Sequence, residues 1–177
     1  MRRRLEATRS LRSSFERVAD VFLVDPGAVI GTPAGRDGRY HTEIVVDLGR
    51  GSSVHQVVAV EVGPPQRSPD TLRCSLSWNP VGRHAVLPSL DGELEVTRAS
   101  GEMSSLVVGG SYRPPLSAVG AVGDSMVGRH VAHRSFDDFA DALAARIDAA
   151  AEALCAGWHP APYPDDLRPR AFDDRPA

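Results

Sequence analysis

The stretch Ser111–Leu154 reads SYRPPLSAVGAVGDSMVGRHVAHRSFDDFADALAARIDAAAEAL and holds the longest helical pattern in the chain. From Ala132 onward, small and apolar residues recur at steps of three or four, which is the spacing of an amphipathic helix with one buried face. They are Ala132, Phe136, Phe139, Leu143, Ile147, Ala150 and Leu154. We therefore predict one long helix over residues 129–154 that packs against another layer of the protein.

The opposite side of this helix is polar, and the sequence predicts that it faces solvent. Its residues are Arg134, Asp137, Asp138, Asp141, Arg146, Asp148 and Glu152. The preceding segment, 116–128, contains Gly120, Gly123 and Gly128. A glycine inside a helix costs about 1 kcal/mol relative to alanine. This segment therefore predicts a weak helix or a mobile lid.

Upstream of the helix, apolar and polar residues alternate between short turns, as expected for an antiparallel sheet with one solvent-facing side. The candidate strands are residues 2–10, 40–48, 54–62, 72–78, 90–97 and 103–112. After the first strand, Ser13 and Glu16 form a capping-box pattern that predicts a helix. Pro26 opens a second short helix over 26–30. Strands followed by one long helix predict an α+β fold.

Composition excludes several classes of function. All 20 basic residues are arginine, so a catalytic lysine is excluded. The net charge of −3 argues against a nucleic-acid partner. No apolar run reaches the roughly 20 residues of a membrane span, and no signal-type apolar core follows the first arginines. We expect a cytoplasmic protein with no stable membrane insertion, in which Cys74 and Cys155 are buried thiols.

The long helix and its approach carry a family resemblance. Leu90-Asp91-Gly92-Glu93-Leu94 leads to the passage Gly110-Ser111-Tyr112-Arg113-Pro114-Pro115-Leu116. Gly120, Asp124 and Arg129-His130-Val131-Ala132 follow. This order resembles the START-like superfamily, also called SRPBCC or helix-grip, of polyketide cyclases and lipid-transfer domains, in its actinobacterial members. Ser117 stands where a glycine is common, and Arg129-His130 is in reversed order.

The resemblance implies a curved antiparallel sheet wrapped around the long C-terminal helix, with two short helices after the first strand and an apolar cavity between sheet and helix. Residues 1–156 would form the ligand-binding domain, and residues 157–177, rich in Pro, Asp and Arg, a flexible tail. An alanine-rich helix stripe either leaves volume unfilled or permits close approach to the sheet. The predicted ligand-binding residues are Tyr112, Trp78, Thr42, Ile44, Leu76, Leu94, Val108, Phe136, Phe139 and Leu143.

Three functions fit these residues: binding of a hydrophobic small molecule or lipid, ring closure by a polyketide cyclase or aromatase-like enzyme in the same cavity, and a protein-interaction module whose cavity is filled by its own side chains. We expect no cofactor and no metal.

For most of the polar residues that could take part in catalysis, an exposed position explains the pattern without a catalytic role. His130 with His133, and His41 with His55, could share a face, although exposed positions explain both pairs. Glu43 with Asp47 and Glu93 with Glu95 are alternate strand residues expected on the solvent side. Arg73 is expected to offset the carboxylates as a cross-strand partner. No catalytic residue is assigned from these patterns.

Overall fold

The structure of the chain is a computed structural model, which describes residues 3–24, 26–30, 39–49, 52–82, 87–113 and 125–156. These residues form seven strands and three helices. In chain order they are β1 (Arg3–Leu11), α1 (Phe15–Val24), α2 (Pro26–Ile30), β2 (Tyr40–Gly49), β3 (Ser52–Val62), β4 (Gln66–Arg67), β5 (Thr71–Pro80), β6 (Ser89–Arg98), β7 (Ser104–Arg113) and α3 (Ser125–Cys155).

The strands form one antiparallel sheet in the order β1-β7-β6-β5-β3-β2, with β4 paired to β5. The first strand therefore pairs with the last, and β1 and β2 lie at opposite edges although they are consecutive among the described strands. The sheet is curled into a half-barrel. In β5 the alternating pattern is buried on Leu72, Cys74, Leu76 and Trp78 and more exposed between them, as the sequence predicts.

Helix α3 lies across the inner side of the sheet. Its backbone comes closest to the two edge strands, β1 and β2, and to helices α1 and α2. Large side chains fill the space between α3 and the central strands, where Trp78 contacts Phe136 and Phe139. The architecture is α+β, with a curved sheet gripping a long helix, so the predicted fold class is confirmed.

Two glycines lie opposite each other where β6 and β7 come close together. Gly92 pairs with Gly110 in the strand register. A Cβ atom on Gly92 would lie 2.2 Å from the Gly109 carbonyl oxygen and 2.7 Å from the Gly110 Cα. A Cβ on Gly110 would lie 2.9 Å from the carbonyl oxygen of Asp91. A side chain at either position would push the two strands apart.

Several element boundaries differ from the sequence prediction. Helix α3 begins at Ser125, four residues before the predicted start, so Gly128 lies inside it. The rest of the predicted lid, 116–124, and the predicted tail, 157–177, lie outside the described residues. Strand β4 lies in a segment predicted as loop, where two residues pair with the edge of β5.

The start of α1 also differs from the prediction. The Val18 amide donates to the Ser14 carbonyl oxygen at 3.1 Å, so the N-cap is Ser14 and not Ser13. The carboxylate of Glu16, which was predicted to complete a capping box, pairs instead with Arg98 at 2.5 Å and with Arg67. The hydrogen bond from Arg98 lowers the pKa of Glu16. This cluster ties α1 to β4 and β6.

Candidate functional site

The ten predicted ligand-binding residues come together on the inner face of the sheet and on the side of α3 that faces it. All ten are buried, with between 0% and 6% of each residue exposed. The Trp78 ring lies 4.9 Å from Phe139 and 6.0 Å from Phe136, measured between ring centroids. The sequence pattern therefore identified one continuous apolar surface, and in this structure its side chains pack against one another.

Two of the polar side chains on this inner face, Trp78 and Thr42, have hydrogen-bond partners. The indole N–H of Trp78 donates to the Pro88 carbonyl oxygen at 2.9 Å, as a buried tryptophan normally requires. Tyr112 is 3% exposed and pairs with Leu90 across the β6–β7 ladder. Thr42 is 5% exposed, and its hydroxyl accepts a hydrogen bond from the Arg146 guanidinium at 3.3 Å.

Arg146 was predicted on the solvent side of the helix, and that prediction is wrong. The side chain is half-buried where α3 meets α2 and β2. Its Nη1 donates to the carbonyl oxygen of Ile30, the last residue of α2, and to Thr42. A single helical stripe could not reveal this contact, because the curled sheet and α2 cover the helix on more than one side.

Ser135 lies on the same side of α3 as Arg146, since eleven residues make about three helical turns. The residue is 3% exposed, and its hydroxyl has no hydrogen-bond partner among the described residues. Phe139 lies between the two positions on this side. We call Ser135, Phe139 and Arg146, with Thr42 opposite, the β2 flank of the helix.

The other side of the helix faces β1, and here charges meet opposite charges. Arg9 on β1 contacts Asp137 at 3.1 Å and also Asp141, and the hydrogen bond that Arg9 donates to Asp141 raises the pKa of Arg9. Asp148 was predicted to be exposed but is 5% exposed, so that prediction is wrong. Its two oxygens accept from the Arg12 backbone N–H at 3.0 and 3.1 Å. We call Asp137, Asp141 and Asp148, with Arg9 and Arg12, the β1 flank.

The outer face of the sheet is charged and carries a shallow groove of about 690 Å³. None of the ten predicted residues lines it. Its floor includes Gly92 and Gly110, and Arg73 at its side contacts Glu95 at 2.7 Å and Glu93 at 3.5 Å. The prediction that Arg73 offsets these carboxylates is confirmed.

The histidines do not form a catalytic or metal-binding group in the described part of the chain. His55 Nδ1 lies 3.2 Å from a Glu43 carboxylate oxygen, and both side chains are exposed. His133 is also exposed, while the His130 side chain lies outside what the structure describes. No group of three metal-ligating side chains is present among the described residues.

The two cysteines differ in environment, which corrects the prediction for one of them. Both are free; Cys74 is buried and Cys155 is exposed. Cys155 lines a groove of about 400 Å³ between α1 and the end of α3, together with Leu23, Val24 and Leu154. Burial raises the pKa of the Cys74 thiol to about 11. Cys74 is therefore a protonated core residue at neutral pH and not a nucleophile.

Comparison with known proteins gives the fold and no closer relation. No family model matches the sequence, and no curated protein matches it. Among solved structures, the Zhui aromatase/cyclase from Streptomyces sp. R1128 superposes with a TM-score of 0.54 at 13% identity, covering 88% of this chain and 96% of that one. A conserved protein from Geobacillus kaustophilus superposes with a TM-score of 0.51 at 15% identity, covering 85% and 97%.

These two superpositions span nearly the full length of both neighbours and most of this chain. The chain therefore has a helix-grip fold, and the fold that the sequence resemblance implied is confirmed. At such low identities the fold alone is shared, and the neighbours' activities do not transfer with it. Among the described residues, no helix is both long and apolar enough to cross a membrane.

Proposed function

We propose that the protein binds a hydrophobic small molecule or lipid between the inner face of the sheet and α3. One observation carries the proposal: side chains, not backbone, span the distance between α3 and the central strands. Trp78, Phe136 and Phe139 meet at the middle of this space. A ligand can take the place of side chains that rotate away, whereas it could not displace backbone that pairs directly.

Approximate magnitudes favour such an exchange. An aromatic pair contributes about 0.5–1.5 kcal/mol beyond its burial, so separating Trp78 from Phe136 and Phe139 costs about 1–3 kcal/mol. A ligand that buries about 300 Å² of apolar surface gains about 7 kcal/mol at 25 cal/mol per Å². Where the displaced rings stay buried against the ligand, this gain exceeds the cost of the opened pairs, and the rest offsets the ordering of the ligand.

Native mass spectrometry and ligand-induced thermal stabilisation test this proposal together. We expect medium-chain lipids or aromatic polyketides to raise the melting temperature, because a ligand that binds only the folded state stabilises it. Phe139→Ala enlarges the space between α3 and the inner face of the sheet, so it should change the length of the lipid chain that binds most tightly. Val57→Ala, at an exposed position on the outer side of β3, is the matched control and should leave the ligand profile unchanged.

The proposal fails if no compound in an apolar library raises the melting temperature and no small molecule co-purifies with the protein. A second candidate, a protein-interaction module with a filled interior, would then account for the fold. Its supporting observation is that all ten inner-face residues are at most 6% exposed.

A ring-closing enzyme on the same inner face has weaker support. Such chemistry needs an acid or base that touches the substrate. In the described part of the chain no histidine is buried, and the polar side chains near the inner face are Thr42, Tyr112, Ser135 and Arg146. Incubation with a poly-β-ketone substrate that yields no cyclised product above the rate without protein would exclude this activity.

A further inference from the structure

Arg146 is a half-buried cation whose described partners are both neutral. A guanidinium carries five N–H donors. Nη1 donates to the carbonyl oxygen of Ile30 and to the hydroxyl of Thr42. Among the described residues no carboxylate lies within 4.0 Å of this guanidinium, whereas Arg9, Arg73 and Arg98 each contact two.

Arg146 is half-buried, as Arg9 is, whereas Arg73 and Arg98 are exposed residues. The Arg73 side chain is 56% exposed and the Arg98 side chain 33%, so water can solvate part of their charge. Arg146 lies at the covered corner of α2, β2 and α3. A charge withdrawn from water is costly unless it is paired, so the position favours an anion.

Capping of α2 explains only part of the geometry. An arginine near a helix C-terminus bonds its last carbonyls and interacts favourably with the helix dipole. The contact with Ile30 fits that role and uses one edge of the guanidinium. The remaining N–H groups, on Nε and Nη2, have no described acceptor. They form the edge with which arginine binds a carboxylate through two parallel hydrogen bonds.

The surroundings of this guanidinium change from polar to apolar in one direction. Thr42 is followed on the same face of β2 by Ile44, which is 5% exposed. On α3, Leu143 and Phe139 come one and two turns before Arg146 and are buried. The Thr42 oxygen accepts from Arg146, which leaves the hydroxyl proton free to donate to an anion.

We propose that Arg146 and Thr42 bind the carboxylate of an amphipathic ligand whose apolar part lies along the inner face toward Phe139. This inference rests on the proposed function and narrows the ligand class to hydrophobic carboxylic acids. The apolar part of the ligand supplies most of the affinity, and the guanidinium accounts for the preference for a carboxylate over a neutral head group. The two contributions are separable by experiment.

Matched ligands test the head group on the wild-type protein. Dodecanoic acid, dodecanol and methyl dodecanoate share an apolar chain and differ at the head, and isothermal titration at a pH near 7.5 measures each Kd below the micellar range. We expect the acid to bind about tenfold or more tightly than the other two, as charge-assisted hydrogen bonds warrant. Equal binding of all three overturns the inference and leaves the proposed function standing.

Variants of Arg146 locate the preference. R146Q should reduce the ratio of alcohol Kd to acid Kd to about one while preserving binding of the alcohol, and R146K should keep part of that ratio. R134Q, at an exposed arginine on the same helix, is the control and should keep the wild-type ratio. A preference that survives in R146Q overturns the inference.

Two further results remain decisive. If R146Q does not fold, the test is the ratio of alcohol Kd to acid Kd, measured for the wild type and for R146K. R146K retains a cation beside Ile30. If neither the acid nor the alcohol binds the wild-type protein, and no other apolar ligand does, the proposed function fails and this inference fails with it.

Discussion

The two flanks of α3 are built differently, although both hold the same helix. On the β1 flank, Arg9 meets Asp137 and Asp141, and Asp148 accepts from the Arg12 amide. On the β2 flank, Arg146 meets only neutral oxygens and Ser135 has no described partner. The polar groups are satisfied on one side and left incomplete on the other.

This difference separates the side of the helix that serves stability from the side where we propose that a ligand binds. Buried polar groups in folded proteins normally have partners, and exceptions need a reason. The β1 flank follows that rule and anchors the helix to the first strand. The β2 flank departs from it at Ser135, and on the same side of the helix the described partners of Arg146 are neutral oxygens. We infer that the β1 flank acts as a fixed attachment and the β2 flank as the side that accommodates a ligand.

The largest expected effect concerns whether both flanks are closed in the ligand-free protein. Cys74 lies on the inner face between them, and its thiol pKa of about 11 leaves about one thousandth as thiolate at pH 8. With iodoacetamide at pH 8, the exposed Cys155 should be alkylated at least about a hundredfold faster than the buried Cys74. Peptide mass spectrometry measures both rates, and comparable rates would show that one flank opens readily.

The same thiol gives a pH dependence whose sign is fixed by its shift. The folded-state pKa lies above the unfolded value of about 8.5, so the native state holds this proton more tightly. The resulting stability is complete below pH 8.5 and is lost as pH rises toward 11. Over this pH interval, the free energy of unfolding measured in urea should fall more steeply for the wild type than for Cys74→Ala. Parallel curves for the two proteins would contradict this prediction.

Asp148→Ala should be the most destabilising change on the β1 flank. It removes the acceptor of the Arg12 amide in a position that is 5% exposed. Losing the hydrogen bonds that this buried carboxylate accepts costs about 1.5–3 kcal/mol. Urea unfolding measures this loss, and Asp138→Ala, at an exposed position of the same helix, should change stability by less than about 0.5 kcal/mol. A small loss for Asp148→Ala would mean that the β1 flank does not anchor the helix.

Arg9→Met should cost less, about 1 kcal/mol. The Arg9 side chain is 24% exposed, but its partners Asp137 and Asp141 are 53% and 63% exposed, so water screens the pairs. A double-mutant cycle with Asp141→Asn isolates the coupling between the two residues. A coupling energy indistinguishable from zero would show that the pair of Arg9 and Asp141 does not help to hold α3 against β1.

Ser135→Ala should have the smallest effect and the opposite sign. Removing a buried hydroxyl that has no partner relieves its desolvation penalty, so the ligand-free protein should gain up to about 1 kcal/mol. Urea unfolding measures the gain, with Ser14→Ala as a control that removes the α1 N-cap and should destabilise by about 1 kcal/mol. Destabilisation by Ser135→Ala would show that its hydroxyl has a structural partner, and the contrast between the flanks would weaken.

Much of the fold could be predicted because its two periodicities are clear. Alternation in β5, β6 and β7 placed Leu76, Leu94 and Val108 correctly on the buried side. The apolar steps from Phe136 to Ile147 placed the core side of α3 correctly. These patterns follow directly from the geometry of strand and helix, so one sequence is enough to detect them.

The rest depended on tertiary contacts that local patterns do not encode. Arg146 and Asp148 look like solvent-facing helix residues, and only the covering of α3 by β1, β2 and α2 makes them part of the interior. Strand β4 is two residues long, which is too short to show a period. Whether the ten inner-face residues contact a ligand remains a prediction, since burial and ligand contact select the same residue types.

The facing glycines of β6 and β7 have a consequence for how this protein can change. Because a single Cβ at Gly92 would lie 2.2 Å from backbone oxygen, not even alanine fits without parting the strands. The close approach of β6 and β7 at this point therefore requires glycine, and stepwise substitution cannot change it gradually. Randomised libraries of the outer groove should leave Gly92 untouched and direct diversity to Arg73 and Glu93, whose side chains are both 56% exposed.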